Sequence, residues 1–186
     1  MFTDTIKIAT LPNHQLVEKL LVGKMRNLRS MTDYVELLKI FYSYFGGLEQ
    51  LINPYISAEN LSDYEHRRKS RAIANDIKIL GGEVPVLAGV DSLPAIQNEL
   101  QAFGALYVIE GSTLGGKIIA EMLQKHLSFN NGDGLSFFTG YGENSMQMWG
   151  TFKQTLNAMA QRDKDETEVI ATANETFIKF KHWLEK

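Results

Sequence analysis

A glycine-bearing apolar stretch at residues 103–123, FGALYVIEGSTLGGKIIAEML, constrains the fold of this chain more than any other segment. Its apolar residues recur three or four positions apart, and a second apolar set makes the predicted helix hydrophobic on most sides, so we expect it to be buried. The stretch nevertheless contains Gly111, Gly115 and Gly116, and each glycine inside a helix costs roughly 1 kcal/mol relative to alanine. Two explanations stay open: a neighbouring helix approaches the bare backbone closely, or a flat ligand lies on it.

The rest of the chain also shows helical apolar patterns, and no segment shows a convincing strand pattern. Further helices are predicted at residues 4–29, 33–52, 60–80, 144–159 and 165–184. Pro12 lies inside the first pattern, so that helix either begins near Thr10 or is kinked at an earlier turn. A length of 186 residues suggests one domain. We therefore predict an all-α fold of about six to eight helices in a single compact domain spanning residues 1–186.

Composition excludes several classes of function. The net charge is -3 at pH 7, so the chain lacks the basic character of nucleic-acid-binding proteins and we expect no nucleic-acid partner. The absence of cysteine excludes disulfides, thiolate metal sites and cysteine nucleophiles. No uninterrupted apolar run reaches the ~18 residues of a membrane-spanning helix, and the first residues lack the basic start and apolar core of a signal peptide. We therefore expect a cytoplasmic protein with no membrane association.

His14 is the strongest single candidate for a metal ligand. The sequence has 4 histidines, no two of them at the spacing of a helical zinc site, and it has no HExxH motif. A lone neutral imidazole on the inward face of a helix is what the iron of a heme needs as an axial ligand. The alternative is a core or capping histidine satisfied by Glu18 or by a backbone carbonyl, and the position of His14 alone favours this alternative.

Several segments, in the same order along the chain, resemble one known family. LPNHQLVEKL at residues 11–20 and YVIEGSTLGGKII at residues 107–119 look like heme oxygenase, and most resemble the bacterial branch that accompanies bacteriophytochromes. Further segments similar to the family are GLSFFT at residues 134–139 and TFKQ at residues 151–154. The N-terminal residues that match the family pattern at the same intervals are Lys7, Ala9, Thr10, His14 and Glu18.

The resemblance implies a helical fold that holds heme between the first and the central helix. His14 would be the proximal iron ligand, and Glu18 would be a neighbour that helps to orient it. The catalytic distal face would consist of Gly111, Ser112, Gly115 and Gly116. The other heme contacts would be Lys7 and Lys153 near the propionates, and Phe138 and Phe177 in the pocket. Many family members carry an acidic residue where this chain has Ser112, so the source of the distal proton stays open.

The reaction implied by the resemblance is oxidative cleavage of heme to biliverdin, carbon monoxide and ferrous iron, with heme as both substrate and cofactor and O2 as the oxidant. Electrons must come from an external reductant such as a ferredoxin or a ferredoxin reductase, because no segment resembles a flavin or nicotinamide site. A bacteriophytochrome is the implied receiver of the product. The alternative is a non-catalytic heme-binding or storage protein on the same scaffold.

The basic run HRRKSR at residues 66–71 has two interpretations. A charge run within a predicted helix is usually a solvated helix face, and the sequence favours this interpretation. The functional alternative is a docking surface for an acidic reductant through complementary charge.

Overall fold

The computed structural model describes residues 1–129 and 132–186, and these form seven α-helices and no β-strand. The helices are α1 (Phe2–Asn27), α2 (Met31–Ile52), α3 (Arg71–Ile79), α4 (Glu99–His126), α5 (Ser136–Thr139), α6 (Ser145–Met159) and α7 (Asp163–Leu184). Short 3-10 turns lie at Tyr64–His66, Val90–Ser92 and Gly142–Asn144. The prediction of an all-α fold with six to eight helices is therefore confirmed.

Helix α1 runs without interruption through Pro12, so a helix start near Thr10 is wrong. Proline has no N–H, so the carbonyl of Ile8 has no donor four residues further on, and a proline inside a helix costs ~3 kcal/mol. Tertiary packing has to offset that loss, and α1 packs mainly against α7.

Helices α2 and α4 begin where short polar side chains satisfy free backbone N–H groups. The Ser30 hydroxyl accepts from the Asp33 N–H at 3.1 Å, and the Asp33 carboxylate accepts from the Ser30 N–H at 3.0 Å. The Asn98 side chain accepts from the Gln101 N–H at 3.0 Å. Caps of this kind stabilise a helix by about 1 kcal/mol each, and they set where α2 and α4 start.

The predicted helix at residues 60–80 is wrong in its first half, because only Arg71–Ile79 is α-helical. Arg67 follows the turn Tyr64–His66 in an extended conformation, with φ -77 and ψ 150. Its side chain points inward, where it pairs with Glu110 on α4, and only 3% of Arg67 is exposed. A distant ion pair has thus overridden the local helical pattern, and Arg67 does not lie on a solvated helix face.

The packing of the long helices leaves a cleft between α1 and α4. Both helices pack against α7, and α6 touches both, but α1 and α4 scarcely touch each other. Gly104 brings α4 close to α7, because a Cβ at this position would lie 2.5 Å from the carbonyl oxygen of Val169. Helix α7 therefore acts as the common support that holds the two walls apart.

A cluster of aromatic rings from α2, α5 and α7 forms the floor of this cleft. The ring of Phe41 lies 5.6 Å from that of Phe138 and 5.3 Å from that of Phe180. Ring pairs at such distances stabilise the packing beyond the burial of their surface. No helix in the described part of the chain combines the length and the apolar character needed to cross a bilayer.

Candidate active site

The cleft between α1 and α4 has a volume of about 590 Å³, which lies within the usual range for small-molecule and cofactor sites. Its walls are mostly apolar, and large apolar side chains stand open to it: Leu114 is 39% exposed and Ile118 is 72% exposed. Exposed apolar surface of this kind in a concave site marks a place where an apolar ligand binds. The cleft is therefore the candidate functional site.

His14 projects from α1 into this cleft. Its ring packs against the ring of Phe177, with 5.6 Å between the centroids and 55° between the planes. Across residues 1–129 and 132–186, no hydrogen bond joins the imidazole to Glu18 or to a backbone carbonyl. The interpretation of His14 as a satisfied capping residue therefore has no support in the described part of the chain, and its ring nitrogens are available to a ligand.

The glycines of α4 divide between the two explanations that the sequence left open. A Cβ at Gly115 would meet no heavy atom within 4 Å, and one at Gly111 would meet only Trp149, at 3.9 Å, so both positions face the cleft. A Cβ at Gly116 would instead collide with the carbonyl oxygen of Phe138, and Gly116 does not line the cleft. Gly111 and Gly115 thus expose bare backbone to a ligand, and Gly116 admits α5.

Two predicted cation positions lie at one end of the cleft. Lys7 on α1 and Lys153 on α6 both line it. The two helices meet there, because the Thr3 N–H donates to the Asn157 side-chain oxygen at 3.0 Å, one turn from each lysine. None of the ion pairs within the described residues uses Lys7 or Lys153. Their amines are available to anionic groups on a ligand.

Phe138 and Phe177 close the cleft from α5 and α7, and both are buried. Helix α5 is held in place by the buried carboxylate of Asp76, which accepts from the Ser136 hydroxyl at 2.7 Å and from the Phe137 N–H at 2.9 Å. The sequence did not indicate whether this short segment is helical. Its position depends on an acid on α3, 60 residues earlier in the chain.

Arg68 is a site residue that the sequence analysis missed. Its guanidinium reaches the cleft wall and donates to the Ser112 hydroxyl at 2.6 Å and to the carbonyls of Ile109 and Phe137 at 3.0 Å each. Burial lowers the pKa of Arg68 to about 10, which still leaves it charged at neutral pH, and the carboxylate of Glu110 opposes the drop. A run of arginines and lysines carries no local signal that one member turns inward.

Two hydrogen bonds hold the Ser112 hydroxyl, and they use its donor and one of its two acceptor positions. It donates to the Ile109 carbonyl at 2.6 Å and accepts from Arg68. The hydroxyl hydrogen of Ser112 therefore points to a carbonyl of its own helix, α4. Arg68 is a charged donor on the α4 side of the cleft. The Nε of Arg68 is buried, and its single hydrogen finds no partner among the described residues.

A buried ionic cluster supports Arg68 from behind. Glu110 pairs with Arg67 and accepts from the Tyr141 hydroxyl at 3.0 Å, and that hydroxyl accepts from the backbone N–H of Arg68 at 2.8 Å. Arg67 is also held by Asp63 at 2.7 Å. Burial raises the pKa of Glu110, and Arg67 and Arg68 oppose the rise. The cluster joins the segment 63–68 to α4 directly beside Gly111.

Comparison with known proteins identifies the family. The heme oxygenase family model matches residues 1–186, which is the entire chain. This chain belongs to the heme oxygenase family. It is 31% identical over 150 residues to the heme oxygenase of Xanthomonas campestris pv. campestris strain 8004, an alignment that covers 79% of this chain and 86% of that relative. The family and this relative support heme degradation as the enzymatic activity, and they do not favour heme storage.

Two solved structures of bacterial heme oxygenases share the fold. The NO- and CO-bound heme oxygenase from Neisseria meningitidis superposes with a TM-score of 0.85 at 24% sequence identity, over 100% of this chain and 90% of that one. The heme oxygenase from Leptospira interrogans gives a TM-score of 0.77 at 16% identity, over 98% of both chains. The all-helical architecture is therefore that of a heme oxygenase.

The residues of the cleft fit the substrate of this family. Heme is a flat, largely apolar ring with an iron centre and two carboxylates. The cleft offers an available imidazole on α1, a backbone face at Gly111 and Gly115 without side chains on α4, and two amines at one end. Each chemical feature of heme therefore has a counterpart on the walls of the cleft.

Proposed function

We propose that the cleft binds heme between α1 and α4 and that the enzyme cleaves it to biliverdin, carbon monoxide and ferrous iron, using O2 and external electrons. The observation that carries the proposal is the juxtaposition of an available imidazole, His14 on α1, with the bare backbone of Gly111 and Gly115 on α4, on the walls of one apolar cleft. Membership of the heme oxygenase family supports the same reaction.

In this proposal His14 coordinates the iron. Glu18, one turn further along α1, lines the same cleft; no hydrogen bond joins it to the imidazole among the described residues, and we propose that it accepts one from the ring when heme is bound. Lys7 and Lys153 bind the propionates, because free amines at the rim of an apolar cleft attract carboxylates. Phe138 and Phe177 pack against the macrocycle. Gly116 acts indirectly, since it allows α5 to approach α4 and so places Phe138.

When bound, heme supplies the iron that activates O2 and the ring that is oxidised. The chain supplies apolar cleft walls, the exposed backbone of Gly111 and Gly115 on one side, and a polar corner at the cleft wall. We propose that Arg68 and Ser112 form that corner and hold the water that delivers protons. Arg68 contributes a fixed positive charge and a donor, and Ser112 anchors the guanidinium to α4. In this proposal the distal proton comes through that water and not from an acidic side chain at position 112.

The decisive experiment is titration of the purified protein with hemin, followed by reduction and identification of the product by chromatography. We expect a Soret band that decays on reduction in air while a bilin spectrum appears. Heme that binds and survives reduction would support the storage alternative and contradict the enzymatic proposal. His14→Ala should abolish the wild-type heme spectrum, and the exposed His182, which does not line the cleft, offers the matched control His182→Ala.

The finer assignments are proposals that depend on this one. A ferredoxin or ferredoxin reductase stays the proposed electron donor, and a bacteriophytochrome the proposed receiver of biliverdin. Cytoplasmic location stays a prediction from the sequence. Arg67 does not contribute to a docking surface for the reductant, because its side chain is buried against Glu110. Exposed cations on α1, such as Lys19 and Arg26, are the better candidates.

A further inference from the structure

Helix α1 is weakened immediately before the residue that faces the cleft. Pro12 lacks an N–H, so the carbonyl of Ile8 loses its helical partner, and the proline ring crowds that carbonyl. His14 follows only two residues later. An imidazole on a helix with a missing hydrogen bond is less rigidly held than one in the middle of a regular helix.

One side chain on α7 bridges this weak turn. The amide nitrogen of Asn174 donates to the Ala9 carbonyl at 3.3 Å, and its amide oxygen accepts from the Asn13 side chain at 2.7 Å. Asn174 therefore joins the residue three before Pro12 to the residue directly after it. Because both ends of one short amide are used, the side chain restrains the position of each residue.

The same face of α7 also contacts the imidazole itself. Phe177 lies one helical turn after Asn174, and its ring packs against that of His14 at 5.6 Å. The backbone next to His14 and its ring are thus both contacted by neighbouring residues of one helix, α7. Partners that orient a metal ligand typically change affinity or activity 10–100-fold when they are removed.

We propose that Asn174 is a positioning residue: by bridging the turn at Pro12, it sets the orientation in which His14 is presented to the iron. The inference rests on the proposed function, since it requires His14 to be the axial ligand. Asn174 does not line the cleft, so in this proposal it acts through its two hydrogen bonds to α1.

The test compares Asn174→Leu with a matched control, Asn157→Leu. Asn157 also holds α1 through two amide hydrogen bonds, to the N–H of Thr3 at 3.0 Å and to its hydroxyl at 3.3 Å, but at the far end of the helix. The readouts are the iron–histidine stretching band of the ferrous heme complex in resonance Raman spectra and the rate of heme transfer to excess apomyoglobin.

For Asn174→Leu we expect a shifted or broadened iron–histidine band and heme dissociation accelerated about 10-fold. For Asn157→Leu we expect a comparable loss of thermal stability with the band unchanged. Asn174→Gln keeps both amide functions and should restore the band in part. If Asn174→Leu does not fold, Asn13→Ala, which removes one of the two bonds, should shift the band in the same direction.

Three results would count against the inference. A wild-type band and dissociation rate in Asn174→Leu, with lowered stability, would make the residue merely structural. Equal band shifts in Asn174→Leu and Asn157→Leu would show that any loosening of α1 suffices. Absence of an iron–histidine band in the wild-type protein would overturn the proposed function itself, and this outcome is distinguishable because it appears before any substitution is made.

Discussion

Adding one methyl group to α4 should have opposite effects on stability at two adjacent glycines. Alanine is more favourable than glycine inside a helix by roughly 1 kcal/mol. At Gly115 nothing within 4 Å opposes the new Cβ, so the heme-free protein should gain most of this amount. For a chain of this length, that is a rise in Tm of about 2 °C.

At Gly116 the new Cβ would collide with the Phe138 carbonyl, a backbone atom that moves only if α5 moves. Forcing an extra carbon into a packed position costs about 1–3 kcal/mol, and the upper part of this range, about 2–3 kcal/mol, applies here because the opposing atoms are backbone. This outweighs the helical gain, so we expect a net loss of about 1–2 kcal/mol in the free energy of unfolding, with Tm lower by about 3–6 °C.

The affinity for hemin should not follow the stability of the heme-free protein in Gly115→Ala. In the proposed function the methyl of Gly115→Ala enters the space assigned to the macrocycle, and we expect hemin to bind about 10-fold more weakly, which is about 1.4 kcal/mol. The assays are thermal unfolding of the heme-free proteins and hemin titration. If Gly115→Ala lowers Tm without heme, or binds hemin as the wild type does, the assignment of this backbone face to the ligand is wrong.

Three further predictions concern the surroundings of the site. Arg68→Leu removes the guanidinium that donates to Ser112 and, in the proposed function, holds the water that delivers protons. Hemin should still bind, but turnover should fall about 10-fold or more. Unchanged bilin formation would contradict the role of Arg68. Asp76→Ala leaves buried N–H groups near Phe137 unpaired, so urea unfolding should show a loss of about 2–4 kcal/mol. The N–H groups of Arg29 and then Ser30 lower the pKa of Asp33 below its usual 3.8. The ionised carboxylate therefore stabilises the protein fully above the ordinary pKa of 3.8, and this effect is lost as the pH falls from 3.8 through the lowered pKa. Wild type and Asp33→Asn should thus differ in Tm at pH 7, and the difference should shrink only on acidification below pH 3.8.

The helices, and His14 as the candidate iron ligand, were predictable because each depends on a local sequence pattern. Apolar residues three or four apart define α1, α2, α6 and α7 within a few residues of their observed ends, and they define the central part of α4. The same periodicity puts His14 on a definite face of α1. The ordered family segments added what local patterns cannot contain, namely that α1 and α4 face each other across one site, and the structure shows both helices lining one cleft.

Only the tertiary structure decided how neighbouring residues with the same chemistry divide their roles. Gly115 and Gly116 are identical and adjacent in the sequence, but a helical step of about 100° turns one to the cleft and the other to α5. Arg67 and Arg68 lie in a run that looks solvated, and they turn inward because Glu110, 43 residues away, compensates their charge. Such outcomes depend on contacts between distant segments, and a local sequence pattern contains no record of them.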